Sequence, residues 1–219
     1  MKRSIFIVVL MSFSLGSISQ EVGSWWMYFG NFRFNDQFSI WTEAQYRSYD
    51  HGENIEQMML RSALNYHISK KSIATFGYGY IGNYLPGTDI NNPTIEEDRI
   101  YQQFVQKHSI PLVLIEHRFR LEQRWPENTY RNRIRYRIFL TIPLNKKDIE
   151  AKTWFLGLYD ELFLNTVEKY YDRNRFYFAL GRQFNEYLNL QVGMLNQDTQ
   201  FADKWYFQLA MSWNVDFRK

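Results

Sequence analysis

The residues able to do chemistry are concentrated between Leu112 and Pro143, where LVLIEHRFRLEQRW is followed by PENT and then YRNRIRYRIFLTIP. In the first half Val113, Ile115, His117, Phe119, Leu121, Gln123 and Trp125 alternate with Glu116, Arg118, Arg120, Glu122 and Arg124. In the second half Ile134, Tyr136, Ile138, Leu140 and Ile142 alternate with Arg131, Arg133, Arg135 and Arg137. Period-2 alternation places each set on one face of a strand. Pro126, Glu127 and Asn128 supply the turn, so the stretch reads as one long hairpin. With the turn centred on Glu127 and Asn128, Glu122 faces Arg133, but Arg120 faces Arg135 and Arg118 faces Arg137. Like charges directly opposed are unfavourable, and an unpaired buried charge costs several kcal/mol. Carboxylates from elsewhere must therefore reach the arginines. Glu43, Glu161 and Asp172 are available, with Tyr101 and Tyr159 as hydrogen-bonding partners. The expected charge network is Glu43, Glu116, Arg118, Arg120, Glu122, Arg131, Arg133, Arg135, Arg137 and Glu161. Its first reading is a self-neutralised structural network, because buried charges are paired. Its second is an anion-selective passage or a site for a carboxylate or phosphate.

Other candidate chemistry is thinner. Some membrane-embedded lipid hydrolases carry a His and a Ser two positions apart on one outward strand face, where the pair meets the lipid. His67 and Ser69 have that spacing, but on the polar side and at a turn; His117 is followed two positions on by Phe119, and Ser109 points opposite to His108. No catalytic residue is assigned on this basis. Four scattered histidines and no cysteine give no zinc-ligand spacing, disulfide or thiolate site. Asp89, Asn91, Asn92, Glu96, Glu97 and Asp98 could offer oxygens to calcium, although a solvated acidic loop explains them as well. No metal or cofactor is expected.

Strands of 12 or more residues exceed the usual ~5–6 of globular sheets. They fit the roughly 9–11 tilted residues that cross a bilayer, with an overhang. The pattern predicts an all-β fold: an antiparallel transmembrane β-barrel, apolar side chains toward lipid and arginines toward a polar lumen. Aromatics at 19% suit the interfacial girdles of such barrels. A negative mean hydropathy, with no apolar run near ~20 residues, argues against helical spans. Lys2 and Arg3 precede the apolar run 5–11 and the small polar residues 12–19, the order of a secretory signal peptide with cleavage near Ser19 or Gln20. The expected organisation is a signal peptide over 1–20 and an outer-membrane barrel over 21–219. Cleavage removes Lys2 and Arg3 and no acid, so a net charge of +3 becomes +1. So small an excess argues against a nucleic-acid partner.

Eleven stretches read as strands: 24–34, 38–49, 56–68, 73–84, 99–108, the two arms of the hairpin, 153–165, 173–183, 188–197 and 205–217. Gly77 and Gly79 face inward and leave room for bulky neighbours, while Phe76, Tyr78, Tyr80 and Tyr84 face outward. Connections alternate between short ones near Asn35, 69–71, 109–110 and 185–186, and longer ones at 50–54, 85–98, 165–172 and 197–204. That is the rule of short periplasmic turns and long extracellular loops, with the connection at 145–147 as the exception. Bacterial barrels have even strand numbers, so the expected count is 10 to 12. The final strand ends in Phe217, resembling the signal read by the barrel-assembly machinery during insertion.

The segments GSWWMYFGNFRF, EAQYRSYD, DRIYQQF, LIEHRFRLEQRW, RYRIFLTIPLN, YDELFLN and DRNRFYFALG together resemble the domain-of-unknown-function 2490 family. The resemblance implies a small exported outer-membrane barrel of a Gram-negative bacterium, and it transfers no catalytic residue. The expected function is porin-like and non-enzymatic, with a polar lumen that is structural or that passes or binds small anionic solutes, and with membrane lipid as its surroundings. An outer-leaflet lipid esterase or deacylase is the alternative. A soluble β-sandwich or lipid-binding barrel, with the Val113, Ile115 and Phe119 face turned inward, is the third reading.

Overall fold

The central hairpin forms in the register its turn chemistry dictates. Arg118 pairs with Arg137, Arg120 with Arg135 and Glu122 with Arg133. Glu127 and Asn128 take up positive φ, and the Thr129 N–H closes the turn onto the Pro126 carbonyl at 2.8 Å. The structure is a computed structural model and describes residues 22–167 and 170–218; the signal-peptide expectation for residues 1–20 lies outside them.

In chain order the strands are β1 (Gly23–Arg33), β2 (Phe38–Ser48), β3 (Ile55–His67), β4 (Ser72–Asn83), β5 (Ile95–Ile110), β6 (Val113–Pro126), β7 (Arg131–Pro143), β8 (Trp154–Asn165), β9 (Tyr171–Gln183), β10 (Leu188–Thr199) and β11 (Asp203–Asp216). No helix occurs among the described residues. Each strand pairs with its sequence neighbours, and β1 closes the barrel against β11. Ten of these pairings are antiparallel, but β1 and β11 run parallel, which corrects the expected all-antiparallel sheet. The reason is arithmetic: in an up-and-down wall of eleven strands, the first and last point the same way. Following the pairings once around from Trp25 returns to the line of β1 displaced by about 14 residues, a stagger that tilts the strands by roughly 40–45°. The displacement is even, so inward and outward faces stay in phase around the closure.

β5 begins at Ile95, four residues before the expected Arg99, which shortens the loop after β4 to 84–94. The long-loop end of the barrel carries the connections after β2, β4, β6, β8 and β10. The ten-residue connection 144–153 sits at the opposite end, as the exception in the sequence indicates.

The outer face is mainly apolar, with the pairs Asp160–Asn174 and Gln102–Gln123 as polar exceptions. Phe76, Phe119, Leu121, Ile134, Leu180 and Val192 all lie exposed on the outside of the wall. Phe119 is 51% exposed, which places outside the face that a soluble sandwich would have buried. The inside divides in two. Around β1 and β9–β11, Trp25, Tyr177, Ala179, Leu195 and Tyr206 pack together with Met27, Phe139 and Tyr159 against them. Tyr159 and Tyr177 stack at 4.7 Å between ring centroids. The side formed by β5–β8 is filled by charge.

Gly77 exists for a neighbour's sake. A Cβ there would run into the ring of Tyr101, which is 1% exposed across β4 and β5. The expected outcome for Gly77→Val is therefore overpacking, a loss of about 1–3 kcal/mol in denaturant titrations of the refolded barrel. Unchanged stability would mean that Tyr101 has somewhere else to go. Tyr84, expected to face outward, is instead buried just past the end of β4, its hydroxyl donating to the Ile90 carbonyl at 2.9 Å. Once the chain leaves the strand, the alternation no longer sets its direction.

Candidate functional site: a guanidinium-rich lumen

Apart from Arg33 at the short-turn end of β1, strand parity turns twelve arginines inward: Arg47, Arg61, Arg99, Arg118, Arg120, Arg124, Arg131, Arg133, Arg135, Arg137, Arg173 and Arg175. Against them the described interior sets Glu43, Glu56, Glu97, Glu116, Glu122, Glu161 and Asp172. The carboxylates are outnumbered, and their placement decides which guanidiniums are neutralised.

Glu122 is the hub. It is fully buried, and one oxygen accepts from Arg133 Nε at 3.0 Å and Nη2 at 2.7 Å, while the other accepts from Arg135 Nη1 at 2.6 Å. Glu161, 2% exposed, accepts from Arg118 Nη2 at 2.6 Å and from Arg135 Nε and Nη2 at 3.1 and 2.8 Å. Arg135 thus bridges two carboxylates with its planar fork, a task Lys could not perform. Asp172 holds the remaining Nη1 of Arg133 at 2.9 Å. Nearer the short-turn end, Glu116 accepts from Arg137 Nη2 at 2.6 Å and pairs with Lys107 at 3.4 Å. Arg120 finds an amide rather than an acid: Nε and Nη2 donate to Gln103 Oε1 at 2.9 and 2.6 Å, with Glu122 at 3.6 Å.

Ring faces complete the arrangement. The guanidinium carbons of Arg135, Arg175 and Arg133 lie 4.2, 4.7 and 5.1 Å from the centre of the Phe163 ring, which is 1% exposed. Arg120 lies 4.5 Å above Tyr101, and Arg47 lies 3.7 Å above Trp25. A π face attracts a cation without bringing a charge of its own.

Of the expected network, Arg118, Arg120, Glu122, Arg133, Arg135 and Glu161 come together as one connected patch, and Glu116 and Arg137 form a separate pair toward the short-turn end. Asp172 joins the patch, as its position allowed. Glu43 makes no ion pair with the hairpin; it bonds Arg61 on β3 and Gln45 on its own strand. In register, Glu43 sits directly opposite Arg61, which satisfies it locally. Arg131 lies exposed at the long-loop rim and makes no ion pair among the described residues. Tyr101 contributes its ring rather than its hydroxyl, which has no partner. The alternation could not identify the second cluster, in which Glu97 binds Arg99 and also accepts from Arg124 Nε and Nη2 at 2.5 and 2.9 Å, nor Arg47, Arg173 and Arg175. Glu97 belongs to β5, which begins before the Arg99 that the sequence pattern marks as its start, while Arg47, Arg173 and Arg175 come from β2 and β9, which do not neighbour the hairpin.

A cavity of about 460 Å³ opens at the long-loop end, walled by Trp25, Arg47, Arg118, Arg133, Arg135, Glu161, Arg173 and Arg175. The hydroxyl partner of His67 is not Ser69 but Ser39 on β2, 2.9 Å from Nε2 and fully buried inside the wall. Ser69 Oγ accepts instead from the backbone N–H groups of Lys71 and Ser72 and holds its turn. His117 does face outward, stacked on His108 at 5.1 Å, with Nδ1 2.7 Å from the Tyr136 hydroxyl. The loop acids diverge: Glu97 turns inward, while Glu96 and Asp98 accept from Tyr80 and Tyr78 outside. Among the described residues, no group of three or more His, Asp or Glu side chains is placed to hold a metal ion.

The siderophore receptor PirA from Pseudomonas aeruginosa is similar in structure over 80% of this chain and 35% of its own, at 10% identity and a TM-score of 0.33. No curated protein matches the chain in sequence. Residues 22–208 match the family described as "Protein of unknown function (DUF2490)", from β1 into β11 and so across the whole charged interior. The chain belongs to the DUF2490 family.

Proposed function

We propose that the chain is exported by its N-terminal segment and spans the outer membrane of a Gram-negative cell as a non-enzymatic barrel. Its interior is an arginine–carboxylate network that braces the wall and leaves an anion-accepting vestibule at the long-loop end. The observation carrying this reading is the inversion of polarity: apolar side chains cover the outside, and paired charges fill the inside. A closed wall satisfies every strand edge, which hydrocarbon demands of any β structure crossing it. The network and the aromatic slab below the vestibule oppose free passage, because a barrel this narrow has little interior to spare.

Cell fractionation combined with heat-modifiable gel mobility tests the reading. The expected result is an outer-membrane band that migrates faster unheated, with protease on intact cells cutting within 84–94 and sparing 69–71. In planar bilayers the expected trace lacks large, steady openings. Recovery in the soluble fraction, with one mobility heated or unheated, would overturn the proposal.

A further inference from the structure

The interior carboxylates do not serve all the guanidiniums equally, and beside the vestibule the shortfall falls on Arg47 and Arg175. Arg47 is 3% exposed and lines the vestibule. It meets Glu56 at 3.4 Å through Nη1 only; its Nε and Nη2 have no partner. Glu56 is already shared with Lys204 at 2.9 Å and the Tyr206 hydroxyl at 2.8 Å. Arg175, across the vestibule on β9, makes no ion pair among the described residues and donates Nε to Gln197 at 2.9 Å. Both guanidiniums lie against the ring of Trp25, at 3.7 and 4.8 Å, and Arg173 stands among the charged neighbours of Arg175. The acid facing this group, Glu161, is committed to Arg118 and Arg135.

Resting on the reading of the vestibule as anion-accepting, we propose that Arg47 and Arg175 form a binding site for a small oxyanion of the phosphate class. Two guanidiniums with donors to spare match the charge and several oxygens of a phosphate, which accepts forked N–H pairs as a carboxylate does. Chloride offers no separate oxygens for two forks to grip. The ligand enters as a free ion from the long-loop end. The wall is hydrogen-bonded all round and gives a membrane phospholipid no side entrance.

The test is titration of inorganic phosphate into the full chain refolded in detergent micelles, read by calorimetry and by quenching of tryptophan fluorescence. Wild-type protein should bind phosphate at least tenfold tighter than chloride. Arg175→Gln should weaken phosphate at least tenfold, Arg47→Gln should do the same, and Arg175→Lys, which keeps the charge but loses the fork, should fall between. Heat-modifiable mobility of each variant reports independently that the barrel has folded. Equal affinity for phosphate and chloride, or full affinity in folded Arg175→Gln, would overturn the site. Binding of short-chain phosphatidic acid without binding of inorganic phosphate would overturn the free-ion assignment. Tight phosphate binding by a chain that fractionates as soluble would leave the site standing and remove the membrane reading instead.

Discussion

Glu122→Gln should lower the stability of the folded barrel by about 3–5 kcal/mol, the range expected when one member of a buried ion pair is removed and its partners stay. The isosteric amide keeps the volume and one acceptor oxygen. It removes the charge that Arg133 and Arg135 share, and one of the amide's two positions becomes a donor facing a guanidinium that also donates. Arg135 retains Glu161 and Arg133 retains Asp172, but Arg120, whose contact with Glu122 is already long at 3.6 Å, is left with Gln103 alone. Glu116→Gln should cost clearly less, because its partners Arg137 and Lys107 reach solvent at the short-turn end. Urea titrations of both variants in liposomes decide the matter. Equal losses for the two would mean that burial does not grade this network. The complementary change, Arg133 and Arg135 together to Ala, leaves Glu122 only its long contact with Arg120 and should both destabilise the barrel and raise its ion leak.

The hairpin and its neighbours differ in how far the sequence could be read. Arg118, Arg120, Glu122, Arg133, Arg135 and Arg137 were legible because a turn of known chemistry fixes register, and register fixes which charges oppose. The conflict between Arg120 and Arg135 then required acids from outside the hairpin, and Glu161 and Asp172 supply them. Glu161 sits directly opposite Arg137 on the neighbouring strand, but its carboxylate reaches past it to Arg118 and Arg135, a diagonal that pairing alone does not show. Contacts across the lumen were not legible. Arg47 on β2, Trp25 on β1 and Arg175 on β9 meet only because eleven tilted strands close on themselves, and closure depends on the stagger summed over every pairing. The parallel seam has the same origin. Strand parity was visible, since eleven stretches were there to count, but whether β1 finds β11 depends on the whole wall.

Arg introduced at Leu121, outward and near mid-strand, should cost about 2–4 kcal/mol in liposomes if that face meets hydrocarbon, and less at Leu180, three residues from the end of β9. At Ile110, the last residue of β5, the same change should cost only about 0–1 kcal/mol, because the guanidinium reaches the interface. Ile138 provides an internal check. It faces outward in mid-strand, but its register partner on β8 is Asp160, an outward carboxylate held by Asn174 at 3.1 Å. Directly opposed side chains on one face lie about 4.5–5.5 Å apart at Cβ, so an Arg at 138 finds an opposite charge at once. Ile138→Arg should therefore be milder than Leu121→Arg, also near mid-strand, and Asp160→Asn in the same chain should restore the larger penalty. Water around the barrel would erase these differences, since all of these outward positions would already be solvated and Arg at any of them would be nearly neutral. A flat profile across Leu121, Ile138, Leu180 and Ile110 would therefore count against a lipid-facing wall, even with the barrel intact.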